Sequence, residues 1–312
     1  MDNVAEGRRG NGQRGQVLVI FTLSAVAIIA AVGLVIDGGW TSVQRRDQQN
    51  VADVAAMAGG YAYVNSGYDA SQVQSQARAT TAVNGYTDGQ NGVSVNVSVS
   101  GADITVSITK PHRNYFSGIV GFPQWDVSTT ATVEAGVPNS AVGVMPIIFN
   151  QKAIASHGYN SPSEFAFGEP SSGNEAVPQD ANSFNWTVYC VASGNGCNAD
   201  SQTVNTLIDT RNQNPQDVTL DMLVSPLNAG SHATLYSSMA TYITQDFPVG
   251  IVDDNGNFKG LAMFHLTASQ GGSVKTISGW FESPVNSAAF HITPGVGAGF
   301  AAFGTYVVKL TN

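Results

Sequence analysis

The sequence predicts an α+β protein: a long N-terminal transmembrane helix, a small helix-plus-antiparallel-sheet region, then a mainly β C-terminal domain. Three observations predict it. An uncharged apolar run fills 16–36. Strict alternation of Val or Ile with Ser, Thr or Asn recurs between 93 and 134, which is the period of half-buried strands. From Met145 onward, short apolar runs are separated by many turn residues.

The apolar run, Gln16 to Ile36, reads QVLVIFTLSAVAIIAAVGLVI, with Gln16, Thr22 and Ser24 its only strongly polar side chains. At 1.5 Å per residue, about 21 residues give ~31 Å, the thickness of a bilayer core. Only a helix satisfies its own backbone there. The run exceeds the ~7–15 residue apolar region of a secretory signal, and Asp37-Gly38-Gly39-Trp40 gives no small-x-small cleavage site. A retained anchor is therefore expected. Arg8, Arg9, Arg14, Asp37 and Trp40 are its expected membrane flanks, with Trp40 at the interface. The arginines before the span slightly outnumber Arg45 and Arg46 after it, so the N-terminal tail is expected in the cytoplasm and the bulk outside it.

Beyond the span, TSVQRRDQQNVADVAAMA continues without proline, and Val43, Val51, Val54, Ala55 and Ala58 fall near helical spacing. The helix is expected to run to about Ala58, where Gly59-Gly60 weakens it. Its Ala-rich part either bundles with a partner helix or lies on its own domain. Asp69 is a candidate N-cap for a second helix, which Gly85 would end. Val93, Val95, Val97 and Val99 form one strand face, and Ile104, Val106 and Ile108 repeat it after a Gly101-Ala102-Asp103 turn. A third strand is predicted over Val127 to Glu134.

Val137-Pro138-Asn139-Ser140 marks a boundary. Ser161 to Asn185 reads as a surface loop, Gln202 to Arg211 as a short helix. Strands are predicted over Thr187 to Val191, Leu220 to Val224, Phe247 to Val252, Ala262 to Ala268, Thr276 to Ser283 and Gly304 to Leu310. The second half is thus expected as a sandwich or barrel-like unit.

The net charge is −9, and the early residues hold a cluster of arginines while the remainder is acidic. No basic stripe exists to bind nucleic acid. Cys190 and Cys197, in CVASGNGC, read as a local disulfide in an oxidising compartment and as two free thiols otherwise. No further Cys or His flanks them to make a zinc site.

Little points to catalysis, a cofactor or a metal. The histidines His112, His157, His232, His265 and His291 make no zinc-helix motif. Ser107-Ile108-Thr109-Lys110 spells Ser-x-x-Lys but lies in a predicted strand, and His265 reads as a solvent-facing strand residue. Gly295-Val296-Gly297-Ala298-Gly299 reads as a flexible turn. Asp253-Asp254-Asn255-Gly256-Asn257 superficially resembles a calcium loop, but a hairpin turn explains it more simply. An exported hydrolase would need convergent Ser, His and Asp, and no motif supplies them.

Three stretches together resemble the TadE/TadG-like proteins of tight-adherence (Flp) pilus assembly systems. They are Arg14-Gly15-Gln16-Val17; Val35-Ile36-Asp37-Gly38-Gly39-Trp40 through Arg45-Arg46 to Gln49-Asn50-Val51-Ala52-Asp53-Val54-Ala55-Ala56-Met57-Ala58; and Ile104 to Glu134 with Lys110-Pro111, Tyr115-Phe116 and Gly121-Phe122. The resemblance implies a membrane-anchored accessory or minor pilin-like component, with the lipid bilayer and other pilus-assembly proteins as partners. Processed pilin-like members place a Glu five residues after the cleaved glycine; counted from Gly15, Ile20 stands there, so a retained N-terminus is expected. No Asp-x-Ser-x-Ser adhesion motif is present. The expected organisation is a cytoplasmic tail over 1–15, a transmembrane helix over 16–36, a TadE/G-like extracytoplasmic region over 37–136, and a mainly β extracytoplasmic domain over 137–312. The alternative is an envelope-anchored binding module for a glycan or protein ligand. Exposed aromatics such as Trp186, Tyr189 and Trp280 on one face would favour it.

Overall fold

The computed structural model describes residues 12–161, 163–170, 177–191, 197, 199–213, 215–228, 230–293 and 301–311. Its first element, α1 (Gly12–Asn65), is a single helix of 54 residues, about 80 Å long at 1.5 Å per residue. The expected end near Ala58 is therefore corrected: the helix runs through Gly59-Gly60 to Asn65. Packing overrides the poor helix propensity of glycine here. A Cβ at Gly60 would sit 2.9 Å from Val133 Cγ1 and 2.9 Å from Val308 Cγ1, and one at Gly59 would sit 3.2 Å from Val73 Cγ1. The two glycines let the helix backbone approach the sheet, which offsets their cost of about 1 kcal/mol each.

The second helix, α2 (Ala70–Val83), starts where Asp69 accepts the Ser71 N–H, and Asn84 and Gly85 follow its end, with Gly85 at φ +85°. Strands β1 (Ser94–Ser100), β2 (Asp103–Arg113) and β3 (Gln124–Gly136) form an antiparallel meander. Val95 and Val97, with Ile104, Val106, Ile108, Ala131 and Val133, bury their side chains against α1 and α2. Alternation in the sequence thus marks the face that the two helices cover.

The second half centres on a mixed seven-stranded sheet. Chain order gives β4 (Ser140–Val142), β5 (Ile147–Asn150), α3 (Gln151–His157), β6 (Phe165–Gly168), β7 (Phe184–Cys190), α4 (Ser201–Thr210), β8 (Asp217–Thr219) and β9 (Leu223–Pro226). Then come α5 (Ala233–Met239), β10 (Asp246–Val252), β11 (Phe258–Gln270), β12 (Thr276–Glu282), β13 (Phe290–His291) and β14 (Val307–Leu310). The large sheet runs β6-β12-β11-β10-β5-β7-β9, and β13-β4-β8 form a separate three-stranded sheet. β5 and β10 are parallel; their other neighbours in this sheet are antiparallel.

This is not the expected sandwich or barrel. One face of the large sheet packs Phe149, Phe247, Phe264 and Phe281 with Val204, Ile208 and Leu235 from helices. Alternate residues on the opposite face, including Ile148, Leu261 and Met263, pack with Ala141, Val218 and Phe290 of the small sheet. The result is three layers, with both sheet faces buried.

Three boundaries also differ from expectation. Ser161 to Asn185 contains the edge strand β6, paired with β12. Leu220 to Val224 is not one strand: Met222 N–H bonds back to Thr219 O, and the turn sends β8 and β9 to different sheets. Finally, β14 pairs with β3, so the C-terminal strand completes the first sheet across the Val137-Pro138 boundary. The Asp253–Asn257 stretch is the β10–β11 turn: Asp253 Oδ1 accepts the Asn255 and Asn257 N–H groups, each at 2.9 Å.

Candidate membrane-anchoring site

Among the described residues, one helix is long and apolar enough to cross a membrane, and it is α1. Its first part is almost wholly uncovered by protein: Leu18 is 67% exposed, Ile28 64% and Val35 75%. Such a surface marks a membrane or protein interaction site, and its length matches a bilayer core. Arg8 and Arg9 lie outside the described residues, as does the side chain of Arg14. Trp40 is exposed beside the end of the span, in the place of an interfacial aromatic.

One stripe of α1 runs from the span into the folded part. Gly33, Asp37, Gln48, Val51, Ala52, Ala55, Ala56, Gly59 and Gly60 are all buried, at the spacing of one drifting helix face. Asp37, expected as a membrane flank, is covered by the chain itself. It is 1% exposed, and its carboxylate accepts three backbone N–H groups from the loop between β2 and β3. The Tyr115 N–H reaches Oδ1 at 2.8 Å, and the Phe116 and Ser117 N–H groups reach Oδ2 at 3.0 and 2.6 Å. Three donors converging on one carboxylate make it a strong acceptor site, so the charge is held by the loop and not by water.

Three turns further on, Gln48 does the corresponding work on the sheet. It is fully buried. Its Nε2 donates to the carbonyls of Ile108 in β2, at 2.7 Å, and Val127 in β3, at 2.9 Å. Its Oε1 lies 3.2 Å from His112 Nε2. An amide oxygen only accepts, so His112 carries the proton on Nε2 in this bond. Burial lowers the His112 pKa below its usual value, Lys110 nearby lowers it further, and Asp47 partly opposes both. Gln49 adds a bond from Nε2 to Thr130 O at 3.0 Å. The Tyr86 hydroxyl donates to Asp47 Oδ2 at 3.1 Å, and burial followed by this bond pushes its pKa up to about 12.

The Ala-rich part therefore lies on its own domain: Ala52, Ala55 and Ala56 are fully buried against the first sheet and α2. The sequence signal for Gln48 is only its place among polar residues on a helix; its partners lie 60 and 79 positions away.

Elsewhere, Cys190 and Cys197 form the disulfide. Trp186 and Tyr189 are buried in the core, and Trp280 is half-buried against His265, with ring centroids 4.3 Å apart. These three do not form an exposed aromatic face. Half-buried His265 shares its Nδ1 with Asp246 Oδ1 at 2.6 Å, and Trp280 Nε1 donates to Glu282 Oε1 at 2.5 Å. Asp246, His265 and Glu282 bring ligand-capable atoms together, and the hydrogen bonds account for that arrangement as a cross-strand polar cluster. A second group with no sequence signal is buried: the Glu169 carboxylate bridges His232 Nδ1 and the Tyr236 hydroxyl, tying the end of β6 to α5. The Gly295–Gly299 stretch lies outside the described residues.

Residues 15–64 match the Tad family, described as "Putative Flp pilus-assembly TadE/G-like". The matched range is α1 almost from end to end, so it contains the apolar span, Asp37, Gln48 and the Ala/Gly stripe. The resembling stretch over Ile104 to Glu134 lies beyond the matched range. No curated protein and no solved structure matches the chain significantly.

Proposed function

We propose that this protein is a membrane-anchored accessory or minor pilin-like component of an Flp pilus assembly apparatus. The observation that carries the reading is the TadE/G-like match along α1, a helix whose first part is bare and apolar and whose second part is locked into a folded domain. The role is structural, with no catalytic step. The N-terminus lies in the cytoplasm and the bulk outside it. The arginine distribution and the Cys190–Cys197 disulfide support that orientation, since disulfides persist in oxidising compartments.

The helix keeps a face for partners. Val43, Val54 and Tyr61 are 56%, 54% and 39% exposed, and their spacings of about three turns and two turns put them on one line, away from the buried stripe. A partner subunit's helix would pack there.

The test is a deletion strain complemented with wild-type or Val43→Asp/Val54→Asp protein. Loss of surface pili on deletion, restored by wild type but not by the double variant at equal membrane levels, is expected. Normal pili in the deletion strain would overturn the reading. Orientation is checked separately by labelling intact membranes before reduction. Neither Cys190 nor Cys197 reacts if the disulfide forms in the envelope; reaction of both places the domain in a reducing compartment.

A further inference from the structure

We infer that the loop between β2 and β3, residues 114–123, is a second membrane-inserted element that lies beside α1 among the lipid acyl chains. The inference rests on reading 16–36 as a membrane span and goes beyond it, because the span alone does not require any other part of the chain to enter the bilayer.

The loop reads Asn-Tyr-Phe-Ser-Gly-Ile-Val-Gly-Phe-Pro and contains no charge. Four of its large side chains are exposed: Ile119 is 84% exposed, Tyr115 61%, Phe122 60% and Phe116 40%. Four large apolar or aromatic groups in eight residues are a poor water-facing surface. The loop is also not free to fold them inward. Phe116 packs on Gly33, where an added Cβ would meet Phe116 Cβ at 2.5 Å.

The position of the loop sets its depth. Phe116 and Ile119 share a cleft of ≈ 430 Å³ with Val26, Ile29 and Leu34. Val26 lies ten residues before Ile36, which is ~15 Å along a helix axis. A loop that reaches this stretch of the span stands beside the hydrocarbon, where irregular backbone is tolerated only if its polar groups are satisfied within the protein.

Most of the loop's N–H groups meet that condition, while Asn114 Oδ1 and Ser117 Oγ are buried without a hydrogen-bond partner. Asp37 takes the N–H groups of Tyr115, Phe116 and Ser117. Ile119 N–H bonds to Phe116 O, Gly121 N–H to Gly118 O, Phe122 N–H to Ser117 O, and Asn114 N–H to Pro123 O. The Asn114 amide donates to Phe122 O at 2.9 Å, and Pro123 has no N–H. The same bonds that occupy most of the loop's N–H groups leave Tyr115, Ile119 and Phe122 exposed. Asp37 explains its own burial in the same way: it is the acceptor that lets a loop lie at this depth. The occupant of the surface is lipid because the exposed loop side chains are continuous with the exposed face of the span.

The test uses full-length protein in phosphatidylcholine/phosphatidylglycerol nanodiscs. A single cysteine is placed at Ile119→Cys, Val26→Cys or Val274→Cys and labelled with an environment-sensitive fluorophore; the native pair, being a disulfide, is not labelled. Val274 is an exposed apolar residue of the other sheet region, 54% exposed. Nitroxide lipids are expected to quench the labels at 119 and 26 at least threefold more than the label at 274, and aqueous iodide the reverse. Quenching at 26 with an iodide-accessible label at 119 overturns the loop insertion alone. A label at 119 shielded from both quenchers also overturns it, in favour of a protein partner. An iodide-accessible label at 26 overturns the membrane span and the loop with it.

Discussion

The two parts of α1 are one helix with opposite surfaces. Over 16–36 the large side chains face outward and almost none is covered by protein. Over 48–60 the buried positions are small or polar, chiefly Ala, Gly and Gln48. Lipid accepts any apolar outline, so the first part needs only length and hydrophobicity. A sheet is a shaped surface, so the second part must match it atom by atom. The difference teaches that hydropathy reports the anchor, whereas the seat is specified by small residues and by one buried amide.

The comparison breaks most visibly at Gly60. Gly60→Leu forces a side chain between Val133 and Val308, both fully or nearly fully buried. A loss of about 3 kcal/mol is expected, in line with overpacked cores, read as a lower melting temperature of the full chain in detergent. A comparable large residue at Gly38, where an added Cβ meets nothing within 4 Å, should not lower the melt.

Next comes Gln48. Gln48→Met keeps the volume but leaves the Ile108 and Val127 carbonyls without their side-chain donor and His112 without its acceptor. A cost of about 2 kcal/mol is expected from the unmade buried bonds, measured by the same melt. A melt within error of wild type would mean that the amide does not fasten the helix to the sheet.

His112 gives a smaller, pH-dependent effect. Its folded pKa lies below the usual 6.5, first through burial. The unfolded chain therefore binds the proton more readily, and folding stability rises with pH through this window. The contribution is fully present above about pH 6.5 and is lost as pH falls through the folded value. Melts between pH 7.5 and 5 should show a fall that flattens in His112→Gln; an equal fall in both proteins would assign it to other groups.

The smallest change is Gly38→Ala. With open space around it, removing a helical glycine should stabilise by at most about 1 kcal/mol. Destabilisation would indicate that the helix bends or meets a partner there.

Much of this was legible in the sequence. The uncharged run predicts the exposed part of α1, and Val95/Val97 with Ile104/Val106/Ile108 predict the buried face of the first hairpin. Asp69 caps α2 as its position suggests, because capping is a local interaction. What was not legible depended on distant partners. The Gly59-Gly60 pair reads as a helix end until Val133 and Val308 are placed against it. Asp37 reads only as a flank of the span, because its loop partners are 78 to 80 positions away. β14 pairs with β3 across the whole second half, and no local pattern announces that return. Nor does spacing bring Glu169, His232 and Tyr236 together.

The lipid part and the seated part of α1 form one rigid rod. Nitroxides at Leu23→Cys and Val54→Cys, both exposed sites on α1, test it by pulsed dipolar spectroscopy in nanodiscs. A rigid rod gives one narrow distance distribution near ~47 Å, the length of 31 residues of unbroken helix. A broad distribution, or one centred well below ~40 Å, would place a hinge between the span and the domain, at Gly38-Gly39 for example, and contradict the account.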